Sequence, residues 1–307
     1  MKARLRPALL ATVLALAPVL GADSAPAAKK ILFFSKSSGF EHSVISYRKG
    51  RPAYAEQVLA ELGARNNLAF TFSKDGSRFT PAYLEGFDAF CFYTTGDLTT
   101  AGLDKNPSVT PAGKAALLEA IAQGKGFIGI HSATDTFFSP GNEMIGSPAR
   151  YKNDGERTDP YIRMIGGEFI KHDDQQKARL TVADPGFPGM AAVPADFNLM
   201  EEWYSLKNFP SDLHVLLVQE TAGMTGLSYQ RAPYPATWAR MHGKGRVFYT
   251  SMGHREDVWL NPVFQAVLLG GLNWATGRAE ADITPNLARV TPKANELPPY
   301  PDPTRKQ

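Results

Sequence analysis

Hydrophobic residues fall along this chain in two alternating patterns. Short apolar runs, "KILFFS" at 30–35, "LAFTFS" at 68–73, "FDAFCFY" at 87–93 and "GFIGI" at 126–130, are bounded by glycine and polar turns and predict buried strands. Between them lie amphipathic stretches. "PAYAEQVLAELGARN" at 52–66 predicts a helix with Pro52 in its first turn, where a missing N–H costs nothing. "TPAGKAALLEAIAQG" at 110–124 predicts another, capped by Thr110 and terminated at Gly124. Continuous apolar strands alternating with helices predict an α/β fold: a doubly wound, mostly parallel sheet flanked by helices on both faces.

The second half is less regular. Residues 139–160 form a polar loop containing glycine and proline, long enough to suggest a lid or binding loop. Strands are predicted at 177–183, 214–220, 236–241 and 245–251, and a last helix at 262–277. The Pro-rich tail, 281–307, is expected to pack loosely or to be disordered. With no internal repeat visible, residues 30–280 read as one domain.

Composition narrows the class. The 307 residues are 43% hydrophobic, enough for a sizeable core, and the net charge of +3 is modest. No Lys/Arg run stands out after residue 51, so nothing points to nucleic acid or to an anionic membrane surface. Residues 1–27 carry three basic residues, an apolar run of about a dozen and then small residues, the pattern of a secretory signal peptide. Cleavage is expected after Ala22 or Ala27, leaving a soluble protein in the periplasm or medium with no membrane anchor. Cys91 is the only cysteine, so no internal disulfide holds the fold.

Candidate chemistry gathers at strand ends, where the ligand crevice of an open α/β sheet lies. The turn after the first strand delivers Glu41 and His42; "HSATD" after the central strand delivers His131 and Asp135; "SMGHRED" after the last strand delivers His254, Glu256 and Asp257. "GGEFIKHDD" and "MEEWYSL" add His172, Asp173, Glu201, Glu202, Trp203 and Tyr204. A histidine at a strand end is commonly just a hydrogen-bonded structural residue, and His214 and His242 fit that description. "EEWY" is equally readable as a solvated acidic pair beside two core aromatics. No phosphate-binding glycine pattern and no HExxH zinc signature is present.

"ILFFSKSSGFEH", "GKGFIGIHSATD", "MIGGEFIKH", "EEWYSL" and "GKGRVFYTSMGH" stand in the order and at the separations of the ThuA-like family, named for trehalose utilisation, which the chain resembles over about residues 31–277. The resemblance implies a fold similar to class I glutamine amidotransferases and a role in carbohydrate metabolism. Amidotransferases carry a nucleophilic cysteine in a turn resembling "GICxG"; here the turn reads "GIHSA", so His131 stands at the nucleophile position. "HREDV" resembles the amidotransferase H-x-E, with His254 and Glu256 as base and orienting acid. A histidine forms no thioester, so glutamine hydrolysis is excluded, and Cys91 in an earlier strand does not replace it. Against the family pattern, Glu201 stands where Asp is more usual, Asp173 where Pro is usual, and Tyr234 where a histidine commonly precedes the proline.

The reading that follows is an exported enzyme acting on a sugar or oxidised (keto) sugar by acid–base chemistry. Glu202 and His131 form its central pair, and His254 and Asp135 polarise or orient. Trp203, Tyr204 and Trp238 are candidate sugar-stacking faces, and His42, His172 and Glu256 candidate hydroxyl partners. A cofactor is unassigned; a divalent metal is left open, with His131, His254 and His172 as candidate ligands. His131 is expected to hold one ring nitrogen open to the crevice. Two other classes remain, a non-catalytic sugar-binding protein and an interaction domain.

Overall fold

The structure is a computed structural model describing residues 27–301; nothing of the leader before residue 27 is among them. In chain order the strands are β1 (Lys29–Phe34), β2 (Leu68–Ser73), β3 (Ala89–Phe92), β4 (Gly126–Ile130), β5 (Glu168–Lys171), β6 (Gln176–Val182), β7 (Asp196–Glu201), β8 (Ser205–Lys207), β9 (His214–Gln219), β10 (Tyr234–His242) and β11 (Gly245–Thr250). The helices are α1 (Tyr54–Arg65), α2 (Pro81–Glu85), α3 (Pro111–Ala122), α4 (Pro160–Ile165), α5 (Glu256–Trp259), α6 (Pro262–Ala275) and α7 (Leu287–Val290). Nine strands form one sheet in the order β2-β1-β3-β4-β11-β10-β9-β6-β7. It is parallel from β2 through β11 and antiparallel beyond. The strand pair β5 and β8 stands apart as a small antiparallel sheet.

Alternation along β1 shows why the first half is doubly wound. Ile31 and Phe33 enter one core, with Leu59 and Leu62 of α1 and Leu268 and Leu272 of α6. Leu32 and Phe34 enter the opposite core, with Leu117 and Ile121 of α3 and Ile162 and Ile165 of α4. Both faces of the parallel strands are therefore buried, which is what a run without polar alternation requires. β3, β4 and β11 lie centrally, so the loops leaving their carboxyl ends meet over the middle of the sheet. Among the described residues no helix is long and apolar enough to cross a membrane.

Two loop expectations need correcting. Residues 139–160 are no free lid, because buried polar groups pin them. Arg150 donates to Asn142 O and Phe169 O, Asn142 Nδ2 donates to Asp154 and Glu168, and the Lys207 ammonium donates to Asp154 and to the carbonyls of Ala149 and Lys152. Breaking such a buried pair leaves an uncompensated charge, so this wall stays put. The tail is also anchored as far as it is described. Asn286 accepts from Val215 N and donates to Val215 O, and Asn295 does the same at Phe209. Each side-chain amide imitates one rung of strand pairing, a contact that composition alone does not reveal.

Candidate active site

Four side chains from distant parts of the chain converge above the carboxyl ends of the parallel strands. His42 comes from the loop after β1, His131 from the end of β4, His254 from the loop after β11 and Glu202 from the end of β7. One ligand atom from each lies within 4.8 Å of all the others. The three imidazole centroids form a nearly equilateral triangle, 5.0, 5.1 and 5.1 Å on a side, with ring planes 72–88° apart. His254 Nδ1 is 3.0 Å from Glu202 Oε2 and 3.3 Å from His131 Nε2, and His131 Nε2 is 3.5 Å from the same Oε2.

His131 is set by its backbone. Its φ of +46° is left-handed, a conformation disfavoured for a residue with a Cβ, and it opens a short 3₁₀ turn of small residues. Its Nδ1 lies 2.9 Å from Ser251 O. A carbonyl only accepts, so Nδ1 carries the proton and the neutral ring presents a bare Nε2 to Glu202 and His254. The expectation of an open crevice residue is corrected: the ring is fully buried, with Tyr204 over it at 4.2 Å between centroids.

Glu202 owes its position to a neighbour. Period-two alternation beyond β7 puts Glu201 and Trp203 on one side and Glu202 and Tyr204 on the other. The Glu201 carboxylate accepts from Glu202 N, Gly253 N and His254 N, tying the end of β7 to the turn that carries His254. Gly253 has φ +119°, suited to glycine, and its carbonyl accepts from Tyr93 and Trp259. Burial pushes the Glu201 carboxyl up to about 7 in spite of the three donors. In the sequence Glu201 stood out as one candidate group and as a deviation from the family pattern; its bracing role needed the fold.

Electrostatics divide the cluster. Burial, with the neighbouring imidazoles, holds His42 well below the usual histidine range, and burial likewise lowers His131. Burial alone would raise Glu202, but the imidazoles around it outweigh burial and hold the carboxyl well below the carboxylate range. Burial opposes protonation of His254, yet Glu202 wins and raises it. Near neutrality Glu202 is ionised, while His42 and His131 are neutral and offer lone pairs. His42 Nδ1 is buried without a hydrogen-bond partner, and its Nε2 lies a long 3.5 Å from the Tyr204 hydroxyl.

A cavity of about 360 Å³ opens beside the cluster, lined by His42, Glu202, His254, Tyr204, His172 and Asp135, with Phe40, Ile145 and Phe169 as apolar wall. Burial pushes Asp135 up to about 6, although Arg150 Nη1 donates to its Oδ1 at 3.1 Å. His172 stacks on Tyr204 and lies 3.6 Å from Glu202 Oε1. A second, polar cavity of about 570 Å³ shares His172 and Glu202 and continues along Lys171, Asp173 and Gln175.

Other sequence candidates lie elsewhere. Trp203 and Trp238 are fully buried, their indole N–H groups donating to Gln176 O and Ile165 O, so neither presents a face to a sugar. Glu256 accepts from Ser43 Oγ and makes no hydrogen bond to His254, whose carboxylate partner is Glu202. Glu256 sits in the first turn of α5. His214 is tied to Thr284 O and Asp184, a structural role. Cys91 is buried within β3, its thiol pushed up by burial.

Residues 30–275 match the family described as ThuA, trehalose utilisation. Among solved structures, a ThuA-like protein from Bacteroides uniformis is 19% identical with a TM-score of 0.59, covering 83% of this chain and 94% of that one. A ThuA-like protein from Parabacteroides merdae is 17% identical with a TM-score of 0.53, covering 83% and 92%. At such identities the likeness establishes the shared fold alone. None of the curated proteins compared matches the chain significantly.

Proposed function

From the premise that this chain belongs to the ThuA, or trehalose-utilisation, family, we propose that it is an exported enzyme processing a sugar or a keto-bearing sugar derivative at the His42–His131–His254–Glu202 cluster. The observation that carries the reading is convergence. An ionised carboxylate and three imidazoles share one site, and Asp135, with its carboxyl near 6, lines the same cavity. Binding alone needs hydroxyl partners; titratable groups this close within one substrate's width suit proton transfer. Asp135 is the group able both to give and to take a proton near neutrality, and Glu202, held ionised, orients or polarises. Phe40, the exposed aromatic of the cavity wall, supplies an apolar face for a sugar ring in place of the buried tryptophans. Two cavities meeting at His172 and Glu202 favour a substrate of two linked units, one in each.

The test is turnover of a panel of disaccharides and keto-sugars followed by mass spectrometry. Asp135→Asn is expected to lower kcat by about 10²–10⁴-fold with the fold intact. Sugar binding without turnover, retained in Asp135→Asn and His131→Asn, would overturn the enzyme reading in favour of a binding protein. Export rests on the leader pattern; mass spectrometry of secreted protein should find a mature start between Asp23 and Lys30, and an intact Met1 on cytoplasmic protein would refute it.

A further inference from the structure

We propose that His42, His131, His254 and Glu202 hold one first-row divalent cation, zinc or a close relative, beside the 360 Å³ cavity. The inference rests on the reading of this cleft as the reacting site and names what the cluster contributes to it.

Geometry carries it. For metal–ligand bonds of about 2.0–2.1 Å, a tetrahedron has edges about 1.63 times as long, roughly 3.3–3.4 Å. The three atoms His131 Nε2, His254 Nδ1 and Glu202 Oε2 stand 3.0, 3.3 and 3.5 Å apart, already at that spacing. His42 completes the set, and its ring is buried with one nitrogen unpartnered. Three imidazoles in a triangle of 5.0–5.1 Å, each ring turned steeply to the next, are poorly explained as packing alone.

The surroundings fit a metal centre. His131 Nδ1 donates to the Ser251 carbonyl, the outer hydrogen bond that fixes a ligating histidine's tautomer and aims its bare nitrogen. Glu201 braces Glu202 and His254 together through their backbone N–H groups. Three nitrogens and one oxygen suit a borderline cation such as Zn²⁺, Co²⁺ or Fe²⁺, whereas Mg²⁺, Ca²⁺ and Mn²⁺ prefer oxygen. His42, His254 and Glu202 line the cavity, so a substrate carbonyl or hydroxyl entering it would reach the cation as a fifth ligand. Asp135, outside the ligand set, remains the proton-transfer group.

The test needs no substrate. Protein without a polyhistidine tag is stripped with chelator and titrated with Co²⁺, read by visible d–d absorption, with Zn²⁺ stoichiometry by mass spectrometry. One equivalent with sub-micromolar affinity is expected. His42→Gln and Glu202→Gln should each weaken binding at least about 100-fold, while His242→Gln, at the end of β10, should leave it unchanged. Melting of stripped wild type and variants by circular dichroism separates lost ligands from lost fold; two variants at different loops keep one misfolding protein from masking the answer. Absence of stoichiometric binding by the wild type, or unchanged affinity in a folded His42→Gln or Glu202→Gln, overturns the inference. Full turnover by stripped protein would overturn it and leave the carbohydrate reading standing. A loaded site with no turnover of any sugar would do the reverse.

Discussion

Replacing Trp238 by Phe separates a sugar platform from a core residue. The indole lies wholly inside, over Tyr249 at 4.3 Å between centroids and edge-on to Phe209 at 5.7 Å. Its N–H donates to Ile165 O at 2.8 Å, at the end of α4. The two glycines of "MIGGEF" are cut to fit it: a Cβ on Gly166 would come within 3.2 Å of Nε1, and one on Gly167 within 2.9 Å of the six-membered ring. Phe in this slot loses two buried ring carbons, about 1.6 kcal/mol at the rate of a buried methylene. It also leaves a buried carbonyl short of a donor, about 1–3 kcal/mol. The sum, about 2.6–4.6 kcal/mol, overlaps the range for removing a whole aromatic ring. Urea unfolding followed by circular dichroism should therefore show a much lower midpoint with an unchanged slope. Sugar binding measured by calorimetry well below that midpoint should be unaltered. A variant as stable as wild type to within about 0.5 kcal/mol, but with sugar affinity lost, would show that the indole is a binding face and refute the argument.

Glu201→Gln puts an amide N–H₂ where at least one backbone N–H now donates; a loss of about 1–3 kcal/mol in stability is expected, with Co²⁺ binding weakened about 10–100-fold as the brace on His254 slackens. Asp135→Asn tests linkage. The folded carboxyl near 6 lies above its ordinary 3.8, so its contribution to stability is complete below 3.8 and lost as pH rises through 6. That is about 3 kcal/mol at 1.36 kcal/mol per unit. Unfolding curves from pH 4 to 7 should slope less for the variant than for wild type, and parallel profiles would refute the shift. Phe40, 65% exposed on the cavity rim, contributes contact and not fold: Phe40→Ala should change stability by under about 0.5 kcal/mol. It should raise KM a few-fold at constant kcat.

Local chemistry determined the parallel half of this protein. Strands such as "KILFFS" are apolar on both faces, and a chain that pairs them must cover both sides of a sheet, so pattern alone dictates helices above and below. The same logic put His42, His131 and His254 at strand ends, because polar residues that close a buried strand emerge at its carboxyl edge. What the pattern left open was direction and depth. The antiparallel extension through β10, β9, β6 and β7 is set by which edges find partners, a choice between long-range pairings that cost similar loop entropy. Whether an aromatic such as Trp238 or Tyr204 faces a core or a cavity depends on how far a neighbouring layer reaches over it, and alternation reports only the side. Glu202 and Glu256 show the point most sharply. The resemblance to the amidotransferase H-x-E implied Glu256 as the partner of His254, two residues away, but Glu256 accepts from Ser43 instead. Glu202, some fifty residues distant in sequence, arrives at 3.0 Å because Glu201 fastens the end of β7 to the turn after β11. Side chains that touch across a fold are chosen by packing and by the satisfaction of buried backbone donors, and neither is written in the interval between two residues.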